Sequence, residues 1–172
     1  MRYLILIAFA LVVLYLADLN QNEALDLYGR QATLYDGENK RTYNLSPLSM
    51  LGGKGMTLGG IHTEIPLDGM SDKETLASIY LVGSDFRVRA MEGIIRGTRQ
   101  SGRMFVLKRD SRFEDESLWN LDRLEFFRAD GQLMANMVFC RGSIVPEAVQ
   151  KEEERQAVER MKEKSWMTHA GM

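Results

Sequence analysis

Hydrophobic and polar positions follow three different regimes along this chain. From Tyr3 to Ala17 fifteen residues are apolar without a break, with Arg2 in front and Asp18 behind. From about Ala32 to Cys140 short apolar or alternating stretches are separated by turn signals. From Pro146 to Lys164 the chain is dense in charge, free of glycine, and carries proline only in its first turn. Each regime predicts a different kind of element.

The first run has no polar face, so it does not read as an amphipathic helix of a globular core. Its length lies at the upper end of a signal-peptide core and falls short of the roughly 20 residues of a spanning helix. Extended to Leu19, a helix reaches about 25 Å at 1.5 Å per residue, which snorkelling of Arg2 or local thinning reconciles with a hydrocarbon layer of about 30 Å. A leader-peptidase site would place small residues at the −3 and −1 positions, but the best match, Tyr15-Leu16-Ala17, puts a bulky Tyr at the first of them. The sequence therefore predicts an uncleaved membrane anchor over residues 1–20, with Leu4, Ile5, Leu6, Ile7, Phe9, Leu11, Val12, Val13, Leu14 and Leu16 against lipid. Arg2 precedes the run and Asp18, Glu23 and Asp26 follow it. Positive flanks stay cytoplasmic, so the body is expected outside the cytoplasm, in the periplasm of a bacterium. A cleaved leader is the competing reading.

Residues 21–30 read as a juxtamembrane segment that prolongs the helix to a stop at Gly29. Residues 31–145 read as a β-rich extracytoplasmic domain. Ala32-Thr33-Leu34-Tyr35 and Lys40 to Leu45 flank Asp36-Gly37-Glu38-Asn39 as a hairpin, since Asp-Gly tolerates the positive φ of tight turns. Asp68-Gly69 closes the run Ile61 to Leu67. Asp130-Gly131 joins Leu121–Arg128 to Leu133–Cys140. Ile79–Val82 and Phe86–Ala90 flank Gly83-Ser84-Asp85, and Gly93–Arg96 is followed by Met104–Leu107. Short strands at this spacing predict a mainly β fold, an antiparallel sheet, sandwich or roll. Phe86, Val88, Phe105, Leu107, Phe126, Met137 and Phe139 are its expected core. Ser71-Asp72-Lys73-Glu74 competes as a capping box opening a short helix. Residues 146–172 form a charged helix and tail. Its apolar stripe (Val149, Ala157, Val158, Met161) is thin, which predicts a solvated face rather than a docked one.

Composition adds little to this picture. The chain has 172 residues, 45% hydrophobic and 27% charged, with a net charge of −2. These are ordinary globular values. The single cysteine, Cys140, precludes an intramolecular disulfide and reads as a small buried hydrophobe.

Catalytic and cofactor patterns are weak. Met50 to Gly60 contains Gly52-Gly53-Lys54 but lacks the P-loop spacing and the Ser or Thr after Gly-Lys, so it reads as a flexible surface loop. With only His62 and His169, and His62-Thr63-Glu64 alternating on an expected strand, no metal-ligand set forms. No nucleophile elbow is present. Glu114-Asp115-Glu116 could supply acid-base carboxylates, but an acidic trio before Leu118-Trp119 more often opens a short exposed helix. No catalytic, cofactor or metal site is predicted.

One charge feature stands out. Between Arg87 and Arg112 lie eight basic residues against two acidic ones, a local balance of +6 in a chain of −2. Alternation puts Arg87 and Arg89 on one strand face with Phe86, Val88 and Ala90 on the other. Arg87, Arg89, Arg96, Arg99 and Arg103 are the candidate interaction stripe, suited to acidic partners, anionic lipid or glycan. The outward location argues against nucleic acid. The sequence thus predicts a non-catalytic single-pass membrane protein whose β-rich domain binds or scaffolds envelope components as an accessory subunit. An exported binding protein for an anionic lipid or glycan, or a carboxylate-dependent hydrolase, are the other two readings.

Overall fold

The computed structural model describes residues 31–45, 55–109 and 114–170, with side chains as far as Glu163. The expected anchor, the expected juxtamembrane segment and residues 50–54 of the glycine-rich stretch lie outside the described residues. Among those described, no helix is long and apolar enough to cross a membrane.

The fold is mainly β, as the sequence predicts, with two sheets and one carboxy-terminal helix. Sheet A has six strands in the order β2 (Arg41–Leu45), β1 (Ala32–Asp36), β11 (Leu133–Arg141), β10 (Asp122–Phe127), β7 (Ile94–Thr98) and β8 (Met104–Lys108). Sheet B has five, in the order β4 (Ile65–Pro66), β3 (Met56–Gly59), β5 (Thr75–Val82), β6 (Asp85–Ala90) and β9 (Glu116–Ser117). All pairs are antiparallel except β3 with β4.

The inward faces of the two sheets form one core. Leu58, Ile79, Phe86 and Val88 of sheet B meet Leu34, Ile95, Leu124, Phe126, Met137 and Phe139 of sheet A, all fully buried. The Phe86 and Phe139 rings lie 5.5 Å apart and tilted by 58°, the offset geometry aromatic quadrupoles favour. Phe105, expected in the core, is half-buried at its edge with its ring over Gly97.

Several local expectations are corrected. Residues 61–64 form a turn, so His62-Thr63-Glu64 does not lie on a strand and only Ile65–Pro66 pairs. Met56–Gly59, expected in a flexible loop, is strand β3 with Leu58 fully buried. Gly59 and Gly60 sit where an added Cβ would strike the Glu74 and Ser71 carbonyls, so these glycines serve close packing. The capping-box hydrogen bond forms, the Ser71 N–H donating to Glu74 Oε2 at 2.9 Å, but the chain makes a single turn and enters β5 at Thr75. Glu116–Ser117 is a short edge strand and not a helix start.

The helix α1 (Glu147–Ala170) also departs from expectation. Its first turns dock on the outer face of sheet A over Tyr35, Val138, Cys140 and Val145, which form a second buried cluster with Leu121 and Val149 at its rim. The docked face is small and polar. Ala157 is buried, and Glu153, with only 3% of its surface exposed, pairs with Arg123 Nη2 at 2.8 Å. Tyr35 donates to Glu154 and Lys40 pairs with it. A stripe with one valine and one alanine can dock because the sheet brings the apolar surface and Arg123 neutralises the buried carboxylate. Beyond Ala157 the helix exposes Val158 and Met161.

The three Asp-Gly turns divide in the same way. Gly69 and Gly131 adopt φ of +81° and +90°, as such turns require. Gly37 does not, and its need for glycine is steric: a Cβ there would lie 2.7 Å from the Glu153 Cβ. The Asp36 carboxylate holds that turn instead, accepting from the N–H groups of Glu38 and Asn39.

Candidate functional site

The β5–β6 hairpin generates the surface from which the candidate arginines project. Its register pairs Ser78 with Arg89, Ile79 with Val88, Tyr80 with Arg87 and Leu81 with Phe86. Strand alternation then sends Ile79, Val88 and Phe86 into the core, and sets Ser78, Tyr80, Arg87 and Arg89 side by side on the outer face of sheet B.

Tyr80, Arg87 and Arg89 converge on one carboxylate. Arg87 Nη1 donates to Asp115 Oδ1 at 2.8 Å, Tyr80 donates its hydroxyl to Asp115 Oδ2, and Arg89 Nη2 lies 3.8 Å from the same oxygen. Arg89 also donates to the Tyr80 oxygen at 3.2 Å and stacks on the ring, 5.4 Å from its centroid. The Tyr80 hydrogen bond, with the charges of Arg87 and Arg89, holds the Asp115 carboxyl below the usual carboxylate range. Burial, followed by the Asp115 hydrogen bond, pushes the Tyr80 phenol up. Tyr80 therefore stays a donor and Asp115 an anion through the physiological range. The group carries two cations and one anion, a residual positive charge held in fixed geometry.

Beside this network opens a recess of about 480 Å³ lined by Gly55, Thr57, Glu64, Ser78, Tyr80, Arg89 and Met91. Its far wall is Glu64, which accepts hydrogen bonds from the Thr57 hydroxyl and the Thr57 N–H, and whose pKa these lower. Hydroxyls, one guanidinium and one carboxylate thus face a single concavity, an arrangement suited to a polar partner with both donors and acceptors.

The other members of the stripe lie elsewhere. Arg96 is on the outer face of sheet A, paired with Glu125 at 3.3 Å and stacked over Phe127 at 5.0 Å. Arg99, in the β7–β8 turn, pairs with Glu116 and stacks over Trp119 at 4.7 Å and Phe105 at 5.8 Å; only 9% of its side chain is exposed. It bridges the two sheets at their β8 and β9 edges. Arg103 is exposed in the same turn. The structure brings Arg87 and Arg89 together and leaves Arg96, Arg99 and Arg103 on other surfaces.

Of the remaining sequence candidates, Cys140 is fully buried beneath α1, and burial pushes its thiol up to about 11. His62 is exposed, 3.8 Å from Asp72. Among the described residues no group of three or more His, Cys, Asp or Glu is placed to hold a metal ion. Tyr80 was not a sequence candidate, although a tight turn at Gly83-Ser84 already sets it opposite Arg87. Asp115 was visible only as one of a trio of carboxylates; its role depends on a contact 28 positions away. The sequence matches no protein-family model, and no curated protein matches it.

Proposed function

We propose that this chain is a non-catalytic single-pass membrane protein whose β-sandwich binds or scaffolds other envelope components, as an accessory subunit of a membrane complex. The observation that carries the reading is the junction of two regimes: an uninterrupted apolar run ending at Ala17, and, from Ala32, a sandwich with its own closed core. Tether and folded body are separated by only a short segment.

The binding surface in this reading is the outer face of sheet B around Arg87, Arg89, Tyr80 and Asp115. Asp115 is already engaged by three partners, the environment of a counter-ion that fixes two guanidinium groups and not that of a general acid, which needs a raised pKa. Arg89 lines the recess and Arg87 stands beside it on the same face, so a partner offering carboxylates or phosphates gains charge-assisted contacts.

The test is purification of the full chain from its own membranes in mild detergent, followed by identification of what accompanies it. A stoichiometric partner that dissociates as salt rises, and is lost from an Arg87→Gln/Arg89→Gln chain that still folds, is the expected result. Retention of the same partners by the double variant at every salt concentration would remove this face from the account. Turnover of a hydrolase substrate abolished by Asp115→Asn would replace the reading altogether.

A further inference from the structure

One end of the sandwich is built differently from the other. At the first end β1 begins: Ala32 pairs with Arg141, and the Gln31 carbonyl accepts the Gly142 N–H at 2.8 Å. The 118–121 turn is tied to the same place, since the Arg141 N–H donates to Asn120 Oδ1 at 2.8 Å. So is the β5–β6 turn, whose Asp85 lies 3.8 Å from Arg141 Nη2. Three connections from both sheets thus converge where the folded body receives the chain from the apolar run.

Each of those connections exposes one large apolar side chain: Val82 at 51%, Trp119 at 61% and Ile144 at 79%. Val82 ends strand β5, whereas Trp119 and Ile144 lie in two separate loops, so no single strand pattern produces them. Cations accompany them. Arg99 lies against one face of the Trp119 ring, Arg141 borders it, and Arg103 makes no ion pair among the described residues. The opposite end carries exposed carboxylates in its turns at Glu38, Asp68, Asp72, Glu92 and Asp130, together with exposed cations at Lys40, Lys73, Lys108 and Arg109. Ile61 is exposed there too, next to the His62–Asp72 pair.

An indole with one face on a guanidinium, beside an exposed isoleucine and an exposed valine, is the chemistry of the headgroup layer, where amphipathic rings and apolar side chains meet lipid. Reach permits it. Thirteen residues separate Ala17 from Gln31, a span of at most about 45 Å if extended and about 20 Å if helical. We infer that the end of the sandwich bearing Val82, Trp119 and Ile144 seats on the bilayer that holds the apolar run, fixing the domain upright. This rests on the membrane-anchor reading above and adds an orientation to it: the end with the mixed-charge turns at Glu38, Asp68 and Asp130 points away from the membrane, and the Arg87–Arg89 face stands to the side, open to a neighbour.

The experiment uses the full chain reconstituted in phosphatidylcholine/phosphatidylglycerol vesicles, with Trp166→Phe making Trp119 the sole tryptophan of the two. Vesicles with and without brominated acyl chains report contact of Trp119 with lipid, and resistance to alkaline extraction reports the anchor separately. The expected result is loss of Trp119 emission in the brominated vesicles, and recovery of that emission when Val82→Glu and Ile144→Glu are added, with alkaline resistance unchanged. Val82 closes strand β5 and Ile144 lies in the loop after β11, and both side chains are exposed, so the added charges leave the core of the sandwich untouched. Equal emission in both kinds of vesicle, from a chain that resists alkali, would overturn the orientation while the anchor stands. Release of the chain by alkali would overturn the anchor, and the orientation with it.

Discussion

The outer faces of the two sheets receive different neighbours, and their side chains record the difference. Under α1, sheet A presents Thr33, Tyr35, Val138 and Cys140, all buried, whereas the outer face of sheet B presents Thr57, Ser78, Tyr80, Arg87 and Arg89, all partly exposed. Strand β6, Asp-Phe-Arg-Val-Arg-Ala, alternates strictly. Strand β11 runs Met137-Val138-Phe139-Cys140 without a polar interruption, which in a half-buried strand makes no sense and in a strand covered on both sides is required. The lesson is that an apolar residue of the wrong parity announces a second layer, here the helix whose own stripe is too thin to announce itself.

The comparison breaks first where both regions depend on one core. Phe139→Ala or Phe126→Ala should cost roughly 3 to 5 kcal/mol in chemical unfolding, since each removes a fully buried ring shared by the two sheets. A loss under 1 kcal/mol would mean that the sheets do not pack as described.

Next come changes confined to the α1 interface. Gly37→Ala puts a Cβ into the backbone and Cβ of Glu153, and is expected to displace the helix and open Cys140 to thiol reagents without melting the sandwich. The pair beneath the helix should be asymmetric. Arg123→Ala leaves the Glu153 carboxylate buried and unpaired, a cost of about 1 to 3 kcal/mol, whereas Glu153→Gln frees an Arg123 that is 43% exposed and can turn to water. Equal costs would show that Glu153 is not truly enclosed.

Alkali should separate the regions by a smaller margin. Burial, then the Glu154 hydrogen bond, pushes Tyr35 up to about 12, and burial pushes Cys140 up to about 11. Both acids favour their neutral forms in the fold, so their contribution is intact below their ordinary values near 10 and 9 and is lost as pH rises toward 11 and 12. Thermal midpoints should fall across that window, and fall less in Tyr35→Phe. The smallest effect is expected on the open face: Arg87→Gln and Arg89→Gln should each shift stability by no more than about 0.5 to 1 kcal/mol, because half-exposed ion pairs contribute little.

Much of this architecture was legible beforehand. The Asp130-Gly131 turn, the β5–β6 hairpin and the outward direction of Arg87 and Arg89 follow from turn chemistry and period-two alternation alone. Glu153 was not, because a glutamate in a charged helix looks solvated until Arg123, thirty positions earlier, is brought beneath it. Arg99 was read as part of an exposed stripe, but Trp119, Phe105 and Glu116 enclose it from three directions that only the tertiary fold assembles. Asp115 was equally hidden: nothing local distinguishes it from Glu114, and only the register of β6 with β9 sets it against two arginines.

The most direct test of the central claim, a sandwich tethered by its own apolar run, is the intact mass of the protein recovered from membranes after alkaline washing. The account predicts that the chain remains with the membrane and that its mass includes the residues from Tyr3 to Ala17. A chain released by the wash, with its amino terminus at Asp18 or close to it, would contradict the account and identify the run as a removed leader.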